Sequence, residues 1–133
     1  MEQRIERALE AFRKKGFEAE FIKDKETAKG LILNQIPLKA KVGIPGSKTI
    51  RQLELDKALR ERGQITFDHW LSGLGPKEIL EMRKAQLTSD FLLTSANAIT
   101  EQGEIYNMDG IGNRIAPMIF GANQVIIVVG INK

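Results

Sequence analysis

The chain has 133 residues, of which 42% are hydrophobic and 28% are charged, and it contains no cysteine. This composition is typical of one globular domain, and the missing cysteines exclude disulfides, thiolate nucleophiles and Cys-ligated metal or iron–sulfur sites. There is no run of about 18 apolar residues, and the mixed-charge N-terminus lacks the apolar segment of a signal peptide, so a cytoplasmic protein is expected.

Charge is unevenly distributed along the chain, whose formal net charge is +3. Residues 1–62 carry 15 Lys or Arg and 10 Asp or Glu, whereas residues 63–133 carry 5 and 7. A basic half can mark a nucleic-acid-binding protein. Here, however, bases alternate with acids at helical spacing, and no aromatic residues are interleaved to stack on bases. The pattern therefore indicates solvated helix faces, with neither nucleic acid nor membrane as a partner.

Apolar spacing, capping residues and turn residues predict alternating helices and strands. Thr49 and Gln52 form a capping box at the start of one helix, and Gln102-Gly103 is the centre of a tight hairpin. In chain order we predict a helix over 2–16, a strand over 17–22, a helix over 24–36, a strand over 41–44, a helix over 49–63, a strand over 64–70, a helix over 77–87, a strand over 90–94, a hairpin over 99–106, a short helix over 113–122 and a strand buried on both faces over 124–130.

This alternation predicts a single α/β domain over residues 1–133, with three layers: a mostly parallel sheet and helices on both of its faces. The sequence stops directly after its last strand, and a helix covering that strand is expected next, so we expect a C-terminal helix to be lacking. Ligands of such sheets bind beyond the carboxyl ends of the strands. That rule selects three segments, residues 43–49, 94–100 and 107–114.

The first segment, GIPGSKT, lies at a strand-to-helix turn. Gly43 and Gly46 would let backbone amides approach an anion, and Ser47 adds a hydroxyl donor. The spacing is not that of a Walker loop. The alternative is a helix cap with turn glycines and no ligand.

The second segment, TSANAIT, is followed directly by an acidic residue. Thr94, Asn97 and Thr100 offer hydroxyl and amide groups to a ligand. Glu101 is a candidate base, but taken alone it is better interpreted as a solvated hairpin residue. No catalytic assignment follows from this segment by itself.

The third segment, NMDGIGNR, concentrates hydrogen-bonding groups before a short helix. Arg114 can hold a carboxylate or phosphate through two parallel hydrogen bonds. We predict that the segment forms a wall of the main pocket and faces residues 94–100. The alternatives are a simple turn and an ion pair within it. The binding candidates here are Asp109, Gly110, Gly112, Asn113 and Arg114, and Asp109 is also a catalytic candidate.

His69 is the single histidine of the chain. Beside Trp70 it is better interpreted as a packing or surface residue than as a catalyst. No pair of residues has convincing metal-ligand spacing, so no metal site is predicted, and no cofactor is identifiable.

Three C-terminal motifs carry a family resemblance. Residues 90–133 read DFLLTSANAITEQGEIYNMDGIGNRIAPMIFGANQVIIVVGINK. This stretch closely resembles the LUD-domain family, the lactate-utilisation proteins formerly classed as a domain of unknown function. Members typically show T-x-x-N-A-[IL]-T-E-x-G, then N-x-D-G-x-G-N-R, then an apolar strand ending in G-x-N-K. The earlier VGIPGSKTIRQLELDKALRERG is similar to the family's G-x-x-x-S turn and helix, so the resemblance spans about residues 40–133.

The resemblance implies a NagB/RpiA/CoA-transferase-like fold. Sugar-phosphate isomerases of that fold carry a G-A-D segment, whose positions are taken here by Ser95, Ala96 and Asn97. Because an amide cannot act as a general acid or base, this departure counts against isomerase activity. CoA transferases of the fold use a Glu nucleophile, to which Glu101 corresponds only by loose position. Whether the protein is an enzyme is left open.

The leading hypothesis is therefore a LUD-domain protein of organic-acid utilisation, with lactate as the foremost substrate. It would bind a small carboxylate or phosphate, or act as a non-redox subunit of an oxidising complex beside other lactate-utilisation subunits. One alternative is a free-standing isomerase or transferase acting on a sugar phosphate or CoA ester. A second is an interaction-only domain. We also expect a homodimer, because a shortened α/β sheet exposes apolar surface.

Overall fold

The computed structural model describes residues 2–132; Met1 and Lys133, the last residue of the predicted G-x-N-K segment, lie outside the described residues. Helices and strands alternate along most of the chain. In order they are α1 (Glu2–Lys14), α2 (Lys25–Gln35), β1 (Lys41–Ile44), α3 (Lys48–Gln52), α4 (Leu55–Glu61), β2 (Ile65–Asp68), α5 (Pro76–Leu87), β3 (Phe91–Thr94), β4 (Ala98–Ile99), β5 (Ile105–Tyr106), α6 (Ile115–Ile119) and β6 (Gln124–Ile127).

Four strands form one parallel sheet in the order β2-β1-β3-β6. On one face of the central strand β1, Val42 and Ile44 are fully buried in a core with Ile50, Leu55 and Leu59 of α3 and α4. Full burial of an aliphatic side chain of this size contributes about 1.5–3 kcal/mol. This core fixes the position of β1 and of the turn that leaves its carboxyl end.

The opposite face of the sheet is covered by α5. Gly43 of β1 faces this helix so closely that a Cβ atom there would lie 2.8 Å from Ser89 Oγ and 3.2 Å from the Gln86 Cα atom. Gly43 therefore serves helix–sheet packing. Helices on both faces of a parallel sheet give three layers, which confirms the predicted α/β fold class.

The predicted strand over 17–22 is wrong. This segment is irregular, and its Phe17 and Phe21 are each 45% exposed. The segment folds back on α1, where the Phe17 ring meets Phe12 edge-on at 5.7 Å and Arg13 Nε donates to Ala19 O at 3.0 Å. An alternating apolar pattern forms a strand only where a neighbouring strand pairs with it.

The predicted helix over 49–63 is two helices. Glu54 adopts a left-handed conformation, with φ of 55°, and separates α3 from α4. The predicted capping box at Thr49 and Gln52 is also wrong, because Ser47 is the N-cap and its Oγ accepts from Ile50 N at 3.2 Å. The first helical turn therefore begins one residue before Thr49.

The C-terminal part combines a confirmed and a wrong prediction. The hairpin is confirmed, since β4 pairs antiparallel with β5, with Ala98 opposite Tyr106. The prediction that the last strand is buried on both faces is wrong. β6 is an edge strand whose apolar residues are half-buried and whose Gln124 is exposed. Within residues 2–132, no helix has the length and apolar character needed to cross a membrane.

Candidate functional site

A pocket of about 330 Å³ lies at the carboxyl ends of β1, β2 and β3. Because parallel strands end at the same edge of a sheet, the segments that follow them meet there. The structure brings together parts of all three predicted segments. Trp70, in the turn that follows β2, joins them. The lining residues are Gly46, Ser47, Lys48, Thr49, Trp70, Ser95, Ala96, Asn97 and Arg114.

The turn after β1 forms one wall. Gly46 has a φ of +89°, and a Cβ atom there would lie 3.0 Å from two carbon atoms of the Trp70 indole, so glycine satisfies both the backbone and the space. Ser47 Oγ accepts a backbone N–H within α3, which leaves its hydroxyl hydrogen free to donate elsewhere. Thr49 Oγ1 and Ser95 Oγ are 3.4 Å apart, so two hydroxyls from different segments meet in the pocket.

Arg114 lies on the opposite wall and is held there by three groups. Its Nη2 donates to Asn97 Oδ1 at 2.7 Å and to Met108 O at 3.0 Å, and its Nε is 3.6 Å from Asp109 Oδ1. The side chain is only 14% exposed. The ion pair that the sequence offered as an alternative is therefore present, and Arg114 also lines the pocket.

Asp109 organises the loop before α6. Its Oδ2 accepts from the backbone N–H of Arg114 at 2.9 Å and of Ile115 at 2.6 Å, which satisfies amides that begin the helix. Gly110 and Gly112 do not line the pocket, and Gly112, with a φ of +86°, provides a turn in open space. The loop glycines therefore shape the segment without forming its pocket-facing wall.

Asn113 lies behind the pocket in a buried polar network. Its Nδ2 donates to Gln86 Oε1 at 3.2 Å. The Nε2 of the fully buried Gln86 donates to Ile44 O at 3.1 Å and Phe67 O at 3.0 Å, and it lies 2.9 Å from His69 Nδ1. One side chain of α5 thus connects the ends of β1 and β2 to the loop that carries Arg114.

The family pattern of the LUD domain matches residues 5–133. The chain belongs to the LUD-domain family. This confirms the resemblance seen in the C-terminal motifs and extends it over nearly the whole chain. Neither the curated proteins nor the solved structures include a match. Membership implies a role related to lactate utilisation.

Several predicted residues of this LUD domain lie away from the pocket lining. Gly43 is within β1, and Thr94 is fully buried with its hydroxyl 3.5 Å from Ser95 O. Thr100 Oγ1 accepts from Glu104 N at 3.1 Å inside the hairpin. The structure therefore brings together Gly46, Ser47, Asn97 and Arg114 of the predicted set.

Glu101, the other catalytic candidate, joins the hairpin to α1. Its Oε1 accepts from Arg7 Nε at 2.8 Å, and its Oε2 is 3.5 Å from Arg4 Nε. The hydrogen bond from Arg7 lowers the pKa of Glu101 below its usual value, so the side chain is ionised in the fold. Neither Glu101 nor Asp109 is among the residues that line the pocket.

Trp70 is the main lining residue of the LUD domain that sequence reasoning missed. Its backbone N–H donates to Asp68 Oδ1 at 3.0 Å, and the Arg51 guanidinium carbon lies 4.6 Å from the centroid of its ring. Arg51 is itself held by Asp68 at 2.7 Å and by Asp56 at 2.8 Å. The strand predicted over 64–70 included Trp70, so the carboxyl-end rule did not select it, whereas the observed strand ends at Asp68. Lys48, Thr49, Ser95 and Ala96 also line the pocket, and they lie within the predicted segments 43–49 and 94–100.

His69 lies in the buried network and does not line the pocket. It is 9% exposed, and burial, with repulsion from Arg83, lowers its pKa below the usual value, while Asp68 opposes this shift. The Gln86 Nε2 group is a donor to backbone carbonyls, and its two hydrogens are shared among Ile44 O, Phe67 O and the neighbouring His69 Nδ1. Burial and the contact with the Gln86 amide therefore both disfavour the charged imidazolium.

Proposed function

We propose that this LUD domain binds a small organic anion, a carboxylate or phosphate, in the pocket between Ser47 and Arg114 during organic-acid utilisation of the lactate type. One observation carries the proposal. The described lining residues include two cations, Lys48 and Arg114, with several hydroxyl or amide side chains, and none of them is acidic. Cations and donors converging in one concave site favour an anion.

Of the two positively charged lining residues, Lys48 is the more accessible to an anion. It is exposed, and it forms no ion pair with any residue of the described range 2–132. Arg114, by contrast, is already bonded to Asn97 and Met108. An incoming anion would therefore pair with Lys48 without displacing an existing ionic partner, whereas Arg114 would orient it from a fixed position.

The role in a larger complex rests on the sequence and the family. With no cysteine in its 133 residues, the chain has no thiolate to ligate an iron–sulfur cluster. In this proposal, cluster-based electron transfer belongs to a partner subunit. The partner subunits and the homodimer stay predictions. The apolar residues Ile119 and Phe120 are 78% and 87% exposed, which supports this prediction of a partner.

Thermal unfolding with added lactate, pyruvate, phosphate and a sugar phosphate tests the binding proposal. A ligand present at about 100 times its Kd stabilises the fold by about 2.7 kcal/mol through mass action. Lys48→Ala should weaken binding about tenfold, the equivalent of about 1.4 kcal/mol. The control is Lys57→Ala, which removes an exposed lysine from α4 outside the pocket. Absence of any response to all four compounds would refute the proposal.

The free-standing enzyme is the less favoured function, because its two candidate catalysts are engaged elsewhere. Glu101 is bonded to α1, and Asp109 accepts the amides that begin α6. Turnover of a sugar phosphate or CoA ester by the purified protein, lost in both Glu101→Gln and Asp109→Asn, would nevertheless establish that function.

A further inference from the structure

The pocket contains an aromatic wall that binding of a bare anion does not use. Trp70 is 45% exposed although it lines the pocket. A large aromatic side chain left in contact with water at a polar site is a surface that a ligand can cover favourably. Trp70 is the single tryptophan of the chain.

The indole is held in place by its surroundings. The ring packs directly against Gly46, where a Cβ atom would come within 3.0 Å of it. Arg51 lies 4.6 Å from the ring centroid, and the fully buried Asp68 binds both Arg51 and the Trp70 backbone amide. A ring that is fixed before binding loses little conformational entropy when a ligand contacts it.

The size of the pocket points in the same direction. A volume of about 330 Å³ lies at the lower end of the range of about 300–1,000 Å³ found for sites of drug-sized ligands. Inorganic phosphate or a three-carbon acid would leave most of that space, and the indole, in contact with water.

We infer that the ligand joins its anionic group to a flat apolar group, such as an aromatic ring, which contacts Trp70 while the anion contacts Lys48 and Arg114. This inference rests on the proposed anion-binding function and specifies its ligand class. Trp70 is then the residue that determines specificity, because it distinguishes ligands with the same anionic group by the group attached to it.

Lactate and phenyllactate form a matched pair of probes, since they share one anionic group and differ by a phenyl ring. If the ring covers about half of the exposed indole, phenyllactate should bind roughly 5–10-fold more tightly than lactate. Titration calorimetry measures both affinities. Phenyllactate should also change the emission of the single tryptophan more than lactate does.

Variants of the aromatic wall complete the test. Trp70→Ala should bring the phenyllactate-to-lactate affinity ratio close to one. Trp70→Phe, which keeps a flat apolar ring and serves if the alanine variant does not fold, should retain a ratio above one. The control Phe120→Ala removes an aromatic ring that is 87% exposed and does not line the pocket, and it should leave the ratio unchanged.

The outcomes separate the two proposals. Equal affinities for lactate and phenyllactate would overturn the ligand class and leave anion binding standing. A high ratio that persists in Trp70→Ala would overturn the assignment to Trp70. Binding of neither probe, nor of the other anions tested above, would remove the proposed function and this inference together.

Discussion

Replacing Gln86 by methionine should strongly destabilise the fold, because it removes the centre of the buried polar network. The side chain keeps its length and loses every polar group. Nε2 shares its two hydrogens among Ile44 O, Phe67 O and His69 Nδ1, and Oε1 accepts a hydrogen bond from Asn113. A buried polar group left without its partner costs about 1–3 kcal/mol. With some of these groups finding other partners, the free energy of unfolding should fall by about 3–5 kcal/mol, a large part of the 5–15 kcal/mol typical of a domain.

Urea unfolding followed by circular dichroism measures this loss. Gln35→Met is the matched control, because Gln35 is an exposed residue at the end of α2 and should change stability by no more than about 0.5 kcal/mol. Gln86→Glu should be at least as damaging as Gln86→Met, since a carboxylate oxygen would then face two carbonyl oxygens. If Gln86→Met and Gln35→Met unfold at the same urea concentration, the network does not stabilise this edge of the sheet.

Three further substitutions test an acceptor at a helix start, a left-handed backbone conformation and a buried histidine. Asp109→Ala should lower the free energy of unfolding by about 1–2 kcal/mol because the amides of Arg114 and Ile115, at the start of α6, lose their acceptor. Asp109→Asn should lose less, and equal urea midpoints for the two variants would contradict this. Glu54→Gly should raise stability by about 0.5 kcal/mol, because glycine adopts the observed φ of 55° without the penalty of a side chain; a lower melting temperature would count against it. His69 has a lowered pKa in the fold, so the unfolded chain takes up a proton first, near its ordinary value of about 6.5. The stability that neutral His69 contributes is complete above about pH 6.5 and is lost as the pH falls, and His69→Gln should show a flatter profile of unfolding free energy between about pH 7.5 and 5.

Local patterns in the sequence determined much of the fold of this LUD domain. The strands predicted over 90–94 and 41–44 are β3 and β1, and the helix predicted over 77–87 is α5, whose first residue is Pro76, a residue favoured at that position. These elements could be predicted because the signal lies in their own residues: apolar side chains that the strands bury, and a proline that fits the first turn of a helix. The same holds for the hairpin, whose Gly103 has the positive φ that its turn requires.

Tertiary structure decided the elements whose patterns were ambiguous. The segment over 17–22 alternates like a strand but has no strand beside it, so it folds against α1 instead. The helix predicted over 49–63 breaks at Glu54, which carries no sequence signal for a left-handed backbone. Pairing partners and packing directions come from distant parts of the chain, and a local pattern does not contain them.

The candidate site divides in the same way. Gly46, Ser47 and Asn97 could be predicted, because they follow β1 and β3 and the parallel sheet places those strand ends together whatever their distance in sequence. Arg114 could be predicted from its concentration of hydrogen-bonding neighbours. The roles of Trp70, Gln86 and Glu101 could not. Trp70 lines the pocket because Gly46 leaves room for its ring, Gln86 reaches two strand ends from α5, and Glu101 turns away to the arginines of α1. Each role depends on which side chains the completed fold brings within a few ångströms, and only packing decides that.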